Sequence, residues 1–177
     1  IADKIGIKKP SLYKHFSSKE EIVETMYQFL REQSKKNANI KPVNFSQLFQ
    51  GKTAYEVLQG VVKGYANMNH QEKMLMFYKV IYSERSIQPM AARIVAEETE
   101  RMIIATKQLF YAMEVHKLLH FENADMSAVS FAMTIHGLMD YELDQKYGYG
   151  KEEHTENNLI SDYLSWFCKE NSVGDGD

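Results

Sequence analysis

IADKIGIKKPSLYKHFSSKEEI, residues 1 to 22, is the stretch that decides the fold. It reads as the end of one helix, a turn at Gly6, a short basic and aromatic helix, and the start of a third helix. Glycine reaches positive φ without a steric penalty, so Gly6 suits a tight reversal of the chain. Pro10 falls in the first turn of the second helix, where a missing amide hydrogen costs nothing. The pattern predicts a helix-turn-helix whose second helix enters the major groove of DNA.

Basic and hydrogen-bonding side chains cluster on this second helix and beside it. Lysine can bind guanine O6 and N7 or a phosphate. Lys9 and Pro10 lie at the N-terminal end of this second helix, the end that reads base edges in other helix-turn-helix proteins. For Tyr13 and His15 the alternative is surface packing within the small N-terminal domain. The predicted DNA-contacting residues are Lys8, Lys9, Pro10, Ser11, Tyr13, Lys14, His15 and Lys19.

Charge is distributed unevenly along the chain, although the net charge is only −3. Residues 1–41 hold nine Lys and Arg against five Asp and Glu, a net charge of +4. Residues 42–177 hold twelve against nineteen, a net charge of −7. A run of charge is usually a solvated face, but phosphate binding depends on where the basic residues lie, and here they coincide with the helix-turn-helix. We therefore expect this basic segment to contact nucleic acid.

Composition places the chain among ordinary globular proteins, with 44% hydrophobic and 25% charged residues. Three prolines and long stretches of periodic apolar residues indicate an all-α fold. No run of about 18 uncharged apolar residues occurs, so we expect no membrane span. Cys168 is the single cysteine and cannot form an internal disulfide, which suits a reducing, cytoplasmic location.

Helical periodicity divides the chain into segments joined by polar or glycine-containing breaks. Ser18 is a suitable N-cap, and Glu21 completes a capping box. Residues 37–52 lose the periodicity and read as a connector, and residues 147–150 read as a loop. The segment at residues 72–85 is apolar nearly all round, which predicts a buried central helix. The predicted helices are Ser18–Lys36, Thr53–Asn69, Glu72–Arg85, Pro89–Leu118, Ser127–Lys146 and Glu152–Glu170.

The N-terminal stretch resembles the TetR family of bacterial transcriptional regulators. It covers about an eighth of the chain, and the remainder matches as an all-helical body of suitable length. Lys8 departs from the pattern, since the family often has a helix-capping Ser there. The resemblance also implies one more helix before Ile1. The matching residues are Ile1, Ala2, Gly6, Ile7, Ser11, Leu12, Tyr13, His15, Phe16, Ser18, Lys19, Glu20 and Glu21.

The resemblance implies an all-α protein with a helix-turn-helix DNA-binding domain at residues 1–41 and a helical effector-binding and dimerisation domain at residues 42–177. It implies phosphate contacts by Ser11, Tyr13, His15 and Lys19, a double-stranded palindromic operator, and a repressor released by a small apolar or amphipathic effector. The alternative is a TetR-type factor without such an effector, controlled by a protein partner. An all-helical enzyme with a similar N-terminal domain is a rival from another class. No glycine-rich phosphate loop, nucleophile elbow or acid–base cluster supports it.

Methionine is concentrated in the expected effector-binding domain, where nine of the ten lie between residues 68 and 139. Thioether side chains adapt to varied apolar ligands, and the family resemblance implies a pocket in this domain. The alternative for each residue is that it fills the helical core. Candidate effector-binding residues are Tyr65, Met68, Met76, Phe77, Tyr78, Met102, Phe110, Met133 and His136.

His136 and Asp140 lie one helical turn apart, a spacing at which a metal can bind. No further ligand motif accompanies them, so a hydrogen-bonded polar pair at a pocket or subunit interface is the preferred interpretation. We expect no metal and no cofactor.

The last two predicted helices carry more apolar residues than one buried face can use. Large exposed apolar patches are rare on monomers, so the surplus predicts a second buried surface. We therefore expect a homodimer through these helices, with Gly137 allowing a close crossing. The alternative is packing within one subunit. The apolar residues of the last helix are Leu159, Ile160, Tyr163, Leu164, Trp166 and Phe167.

Overall fold

The computed structural model describes residues 14–37, 44–69, 72–149 and 158–174. These residues form seven α-helices, and no β-strand occurs within the four ranges. The prediction of an all-α fold is confirmed. The helices are α1 (Lys19–Asn37), α2 (Phe45–Phe49), α3 (Ala54–Asn69), α4 (Glu72–Glu84), α5 (Pro89–Val115), α6 (Ala124–Tyr149) and α7 (Leu159–Glu170).

The beginnings of α1 and α3 are fixed by side-chain caps. The Ser18 hydroxyl accepts a hydrogen bond from the Glu21 amide at 3.1 Å, which confirms the predicted N-cap. The reciprocal half of the box is displaced by one residue, since the Glu21 carboxylate accepts from the amide of Ser17 at 2.6 Å. In α3 the box is complete: the Thr53 amide donates to the Glu56 carboxylate at 2.8 Å, and the Glu56 amide donates to Thr53 Oγ1 at 3.2 Å.

Two helix boundaries differ from the predictions. α5 ends at Val115 rather than Leu118, because Lys117 adopts a left-handed conformation with φ of 55°. The Leu118 amide then donates to the Met113 carbonyl at 2.9 Å, which closes the helix end. α6 begins at Ala124, three residues early, because the side chain of Asn123 caps it by accepting from the Met126 amide at 3.0 Å.

Two segments expected to be irregular are helical. The connector contains α2, which Asn44 caps by accepting from the Gln47 amide at 3.2 Å, and Phe49 of this helix is buried. The expected loop at residues 147–150 is wrong in part, since α6 continues to Tyr149. α7 begins at Leu159 with Asn158 as its cap, and the start predicted at Glu152 lies outside the described residues.

The chain divides into two compact units, each described here by itself. The first comprises residues 1–41 and 70–94. Its core contains Tyr27 of α1, fully buried, which stacks on Phe77 of α4 with ring centroids 5.9 Å apart. The interpretation of α4 as a buried central helix is wrong, since Met76 and Val80 are 62% and 54% exposed. Only one face of α4 is buried, and the apolar residues of its other face lie at the surface.

The second unit comprises residues 42–69 and 95–177 and has an aromatic core. Phe110 of α5 is fully buried and stacks on Phe121, with ring centroids 4.6 Å apart. Its ring centroid lies 5.3 Å from that of Phe131 of α6. Tyr55 and Ser161 link α3 to α7 through a hydroxyl–hydroxyl hydrogen bond of 2.9 Å. Among the described residues, no helix is both long enough and apolar enough to cross a membrane. The functional division at residue 41 stays a prediction.

Candidate nucleic-acid interface

Three of the predicted DNA-contacting residues lie in the described part of the chain. Lys14 and His15 are exposed in the turn before α1, and Lys19 is the exposed first residue of that helix. Exposed cationic and imidazole side chains at a helix start can donate to phosphate oxygens. The other predicted contacts lie outside the described residues, and these are Lys8, Lys9, Pro10, Ser11 and Tyr13.

The backbone around these residues is fixed by the first turn of α1. Glu21 accepts from both the amide and the hydroxyl of Ser17, at 2.6 Å and 2.5 Å. Both hydrogen bonds lower the pKa of the Glu21 carboxyl, and the bond from the Ser17 hydroxyl has the larger effect. A carboxylate in the first turn also complements the positive end of the helix dipole. Lys19 therefore lies at the start of a helix whose first turn is held by side-chain caps.

An acidic groove lies beside this helix start. It has a volume of about 450 Å³ and is lined by residues of the first turns of α1 and α5. Glu24 binds Arg93 there, with Arg93 Nη2 donating to Glu24 Oε2 at 2.7 Å. Carboxylates repel phosphate, so this groove does not add to the predicted phosphate contacts. The lining residues are Glu20, Glu21, Glu24, Pro89, Met90 and Arg93.

Sequence reasoning missed this groove, because 69 positions separate Glu24 from Arg93. Neither residue stands in a motif that relates the two segments. The acidic first turn of α1 was visible in the sequence, but its partner was not.

The candidate effector-binding residues fall in both units. In the first unit Met76 is 62% exposed, Tyr78 is half-buried, and Phe77 packs against Tyr27. The side chain of Met68 lies outside the described residues. The stacking of Phe77 on Tyr27 supports the alternative that Phe77 fills the helical core.

In the second unit the candidates differ in burial. Phe110 is at the centre of the aromatic core, and Met133 is 52% exposed on α6. Tyr65 on α3, Met102 on α5 and His136 on α6 are half-buried. Their joint role as an effector site stays a prediction.

His136 and Asp140 lie within ion-pair distance of each other on α6, and the hydrogen-bonded pair expected at a pocket or subunit interface stays a prediction. His136 Nδ1 lies 3.4 Å from Asp140 Oδ2, with the His136 side chain 24% exposed. In the described ranges no group of three or more His, Cys, Asp or Glu residues is placed to hold a metal ion.

Comparison with known proteins bears directly on the basic segment. The family model for bacterial regulatory proteins of the tetR family matches residues 1–26. The N-terminal segment of the chain is therefore similar to the TetR family. The matched residues include all the predicted DNA contacts and the capped start of α1, so the chain is a DNA-binding transcriptional regulator. TetR-family regulators are generally DNA-binding proteins rather than enzymes.

A solved structure supports the same fold over nearly the whole chain. The crystal structure of a candidate TetR-family transcriptional regulator from Mesorhizobium loti matches with a TM-score of 0.67. The two are 18% identical, and the match covers 97% of this chain and 84% of that one. At this identity the likeness shows the fold alone. No curated protein matches the chain significantly.

Cys168 is half-buried on α7. Burial raises the pKa of its thiol to about 11, so the thiol stays protonated near neutral pH. A protonated thiol is a poor nucleophile, and the Cys168 side chain packs against the aromatic core.

The helices expected to form the dimer expose part of their apolar surface. Trp166 is 54% exposed, whereas Leu164 is buried within its own chain, so Leu164 is a core residue. Sequence reasoning missed Met126 and Tyr141, which are 60% and 48% exposed on α6. Their spacing from Met133 could have revealed them, since positions seven or eight apart share a helix face.

Proposed function

We propose that this TetR-family regulator is a homodimeric repressor that leaves a palindromic operator when a small apolar or amphipathic effector binds the domain at residues 42–177. The observation that carries the proposal is an apolar stripe on the outer face of α6. A two-fold operator requires a two-fold protein, and that requires a self-complementary surface.

The stripe follows one face of α6 and is defined by Met126, Ser130, Met133, Gly137 and Tyr141. These residues are exposed, and successive members are three or four positions apart. A Cβ built on Gly137 meets no heavy atom within 4 Å, so a partner helix has room to approach there. Three large apolar side chains in one exposed row are typical of a surface that another chain covers.

α7 adds apolar surface to the same helix pair. Leu159 and Trp166 are 41% and 54% exposed and lie seven positions apart, on one face of the helix. The opposite face buries Leu164 and Phe167 in the core. α7 therefore uses one apolar face within its own chain and leaves a second for a partner.

Effector binding is supported by half-buried residues beyond the packed core. The core includes Val62 of α3 and Leu109 of α5, and neither Tyr65 nor Met102 belongs to it. Both are half-buried on these same helices. Half-buried side chains outside a packed core, with the polar side chain of His136 on α6, suit an amphipathic ligand. A TetR-type factor controlled by a protein partner remains the alternative.

Sedimentation of the full chain tests the dimer. We expect a dimer at micromolar concentration, and we expect Trp166→Asp or Met133→Asp to give monomers because each buries a charge in the interface. Val115→Asp is the matched control, since Val115 is an 80% exposed apolar residue on α5 that belongs to neither the α6 stripe nor the exposed α7 face. Leu164 is unsuitable, because a charge in the core would unfold the subunit. A monomeric wild-type chain would contradict the proposal.

A further inference from the structure

Glu24 and Arg93 join two segments of the first unit that are 69 positions apart in sequence. The distance from Arg93 Nη2 to Glu24 Oε2 is 2.7 Å, and the side chains are 36% exposed at Glu24 and 59% at Arg93. An ion pair this exposed is weak. It can shift an equilibrium between two arrangements of the helices by a few-fold, but it cannot hold the unit together.

Both residues of the pair lie on helices whose neighbouring side chains are buried. On α5, Ala91 and Ile94 flank Arg93 and are 2% and 1% exposed. On α1, Tyr27 follows Glu24 by one turn and is fully buried against Phe77. The position of the guanidinium is therefore set by the packing of α5, and that of the carboxylate by the packing of α1.

The charges of the groove favour this arrangement. The first turn of α5 contains no acidic residue, and its unpaired amides give it a partial positive charge. Glu20, Glu21 and Glu24 line the groove together with Pro89 and Met90 of that turn. The acidic first turns of α1 thus complement both the start of α5 and Arg93.

α5 belongs to both units. Its residues 89–94 lie in the first unit, and the same helix continues through Val115 in the second. Leu109, Phe110 and Met113 of α5 are buried in the aromatic core. Just past residue 94, Arg101 binds Glu97 at 3.0 Å and Glu98 at 2.8 Å, which stiffens the helix where it leaves the first unit.

We propose that the Glu24–Arg93 ion pair is a latch that couples α1 to α5. Glu24 lies inside the segment matched by the family model, which ends at residue 26. The latch therefore connects the DNA-binding segment to a helix whose far end is packed in the core of the second unit. Its regulatory meaning rests on the proposed function, but the coupling itself can be measured without DNA.

Amide hydrogen exchange of the full chain tests the coupling. The variants are Glu24→Gln, Arg93→Gln and the double variant. We expect Arg93→Gln to speed exchange about twofold to fivefold at α1 amides 23–28, as the loss of an exposed ion pair would. The effects of the two single variants should not add in the double variant, because each single variant already breaks the same ion pair.

Arg101→Gln is the matched control. It removes the ion pairs from Arg101 to Glu97 and Glu98, and both of these carboxylates lie in α5. We expect it to change exchange in α5 and leave amides 23–28 unchanged. Exchange in Arg93→Gln that changes only within α5, or additive effects in the double variant, would overturn the latch.

A second arm measures DNA binding on a duplex selected by the wild-type chain from a random pool. Arg93→Gln should change the affinity several-fold and leave its salt dependence unchanged, because no phosphate contact is removed. An unchanged affinity would overturn the link between latch and DNA binding. If no duplex is selected, the proposed function fails, and the exchange arm still decides the coupling.

Discussion

Glu21 shows how one side chain organises the start of α1 beside the DNA-binding segment. Its carboxylate accepts from the amide and hydroxyl of Ser17, and its own amide donates to the hydroxyl of Ser18. A capping residue before the helix and a carboxylate in its first turn could be read from the sequence. Which serine pairs with the carboxylate could not, because Ser17 and Ser18 differ only in the local path of the backbone.

The first residue-level prediction concerns pH. Hydrogen bonds from Ser17 lower the pKa of Glu21 in the folded protein. Their contribution is therefore present above the unfolded pKa and is lost as pH falls through the lower folded pKa. We expect amides near residue 21 to lose exchange protection over that acidic range. Glu21→Gln should remove this pH dependence, and Glu20→Gln should keep it. An identical acid response in wild type and Glu21→Gln would contradict the assignment.

Lys19 gives a second prediction at this scale. Its exposed position at the start of α1 suits a phosphate contact, which carries no sequence information. Lys19→Ala should weaken binding to all duplexes about equally and flatten the slope of log K against log salt by roughly one unit. Lys63→Ala is the control, an exposed lysine on α3. Lys9→Ala should instead relax preference at particular base pairs. No effect from either Lys19→Ala or Lys9→Ala would show that the recognition helix is misplaced.

At the scale of elements, the sequence predicted the long helices well because periodic apolar residues and caps repeat over several turns. α1, α3 and α4 begin and end within about one residue of prediction. α2 was missed because its five residues are too few to show a period. The loop at residues 147–150 was inferred from its glycines, but exposed glycine is tolerated in a helix at modest cost.

The arrangement of elements was less predictable than their existence. α4 is apolar on several faces, and only its packing shows that Met76 and Val80 are exposed. The DNA-contacting residues could be inferred because they form a compact local motif. The groove and the Glu24–Arg93 pair depend on distant segments meeting, which neither periodicity nor composition records.

Met102 on α5 carries the prediction for effector binding. Met102→Trp should abolish the response to an effector and leave affinity for the selected duplex intact, because the substituted residue is not part of the DNA-binding segment. Native mass spectrometry of the purified chain should detect a co-purified small molecule, and Met102→Trp should lose it. Met90→Trp, in the first unit, is the control and should retain it. If no small molecule co-purifies and none changes DNA binding, control by a protein partner would be favoured.

The whole molecule combines a basic N-terminal segment with an acidic remainder. Residues 1–41 carry a net charge of +4 and residues 42–177 a net charge of −7. This distribution concentrates attraction to DNA on one end of the chain and directs the remainder away from the phosphate backbone. In the proposed dimer, the apolar stripe on α6 and the exposed face of α7 contact the second copy. Two copies would present two basic segments to one duplex.

Selection from a random duplex pool, followed by sedimentation of the complex, tests this description most directly. We expect the selected sequences to converge on an inverted repeat with its half-sites separated by about one helical turn or a multiple of it. The complex should contain two chains per duplex, or a larger even number. A pool that does not converge, or a complex with a single chain on each duplex, would contradict a two-fold DNA-binding regulator.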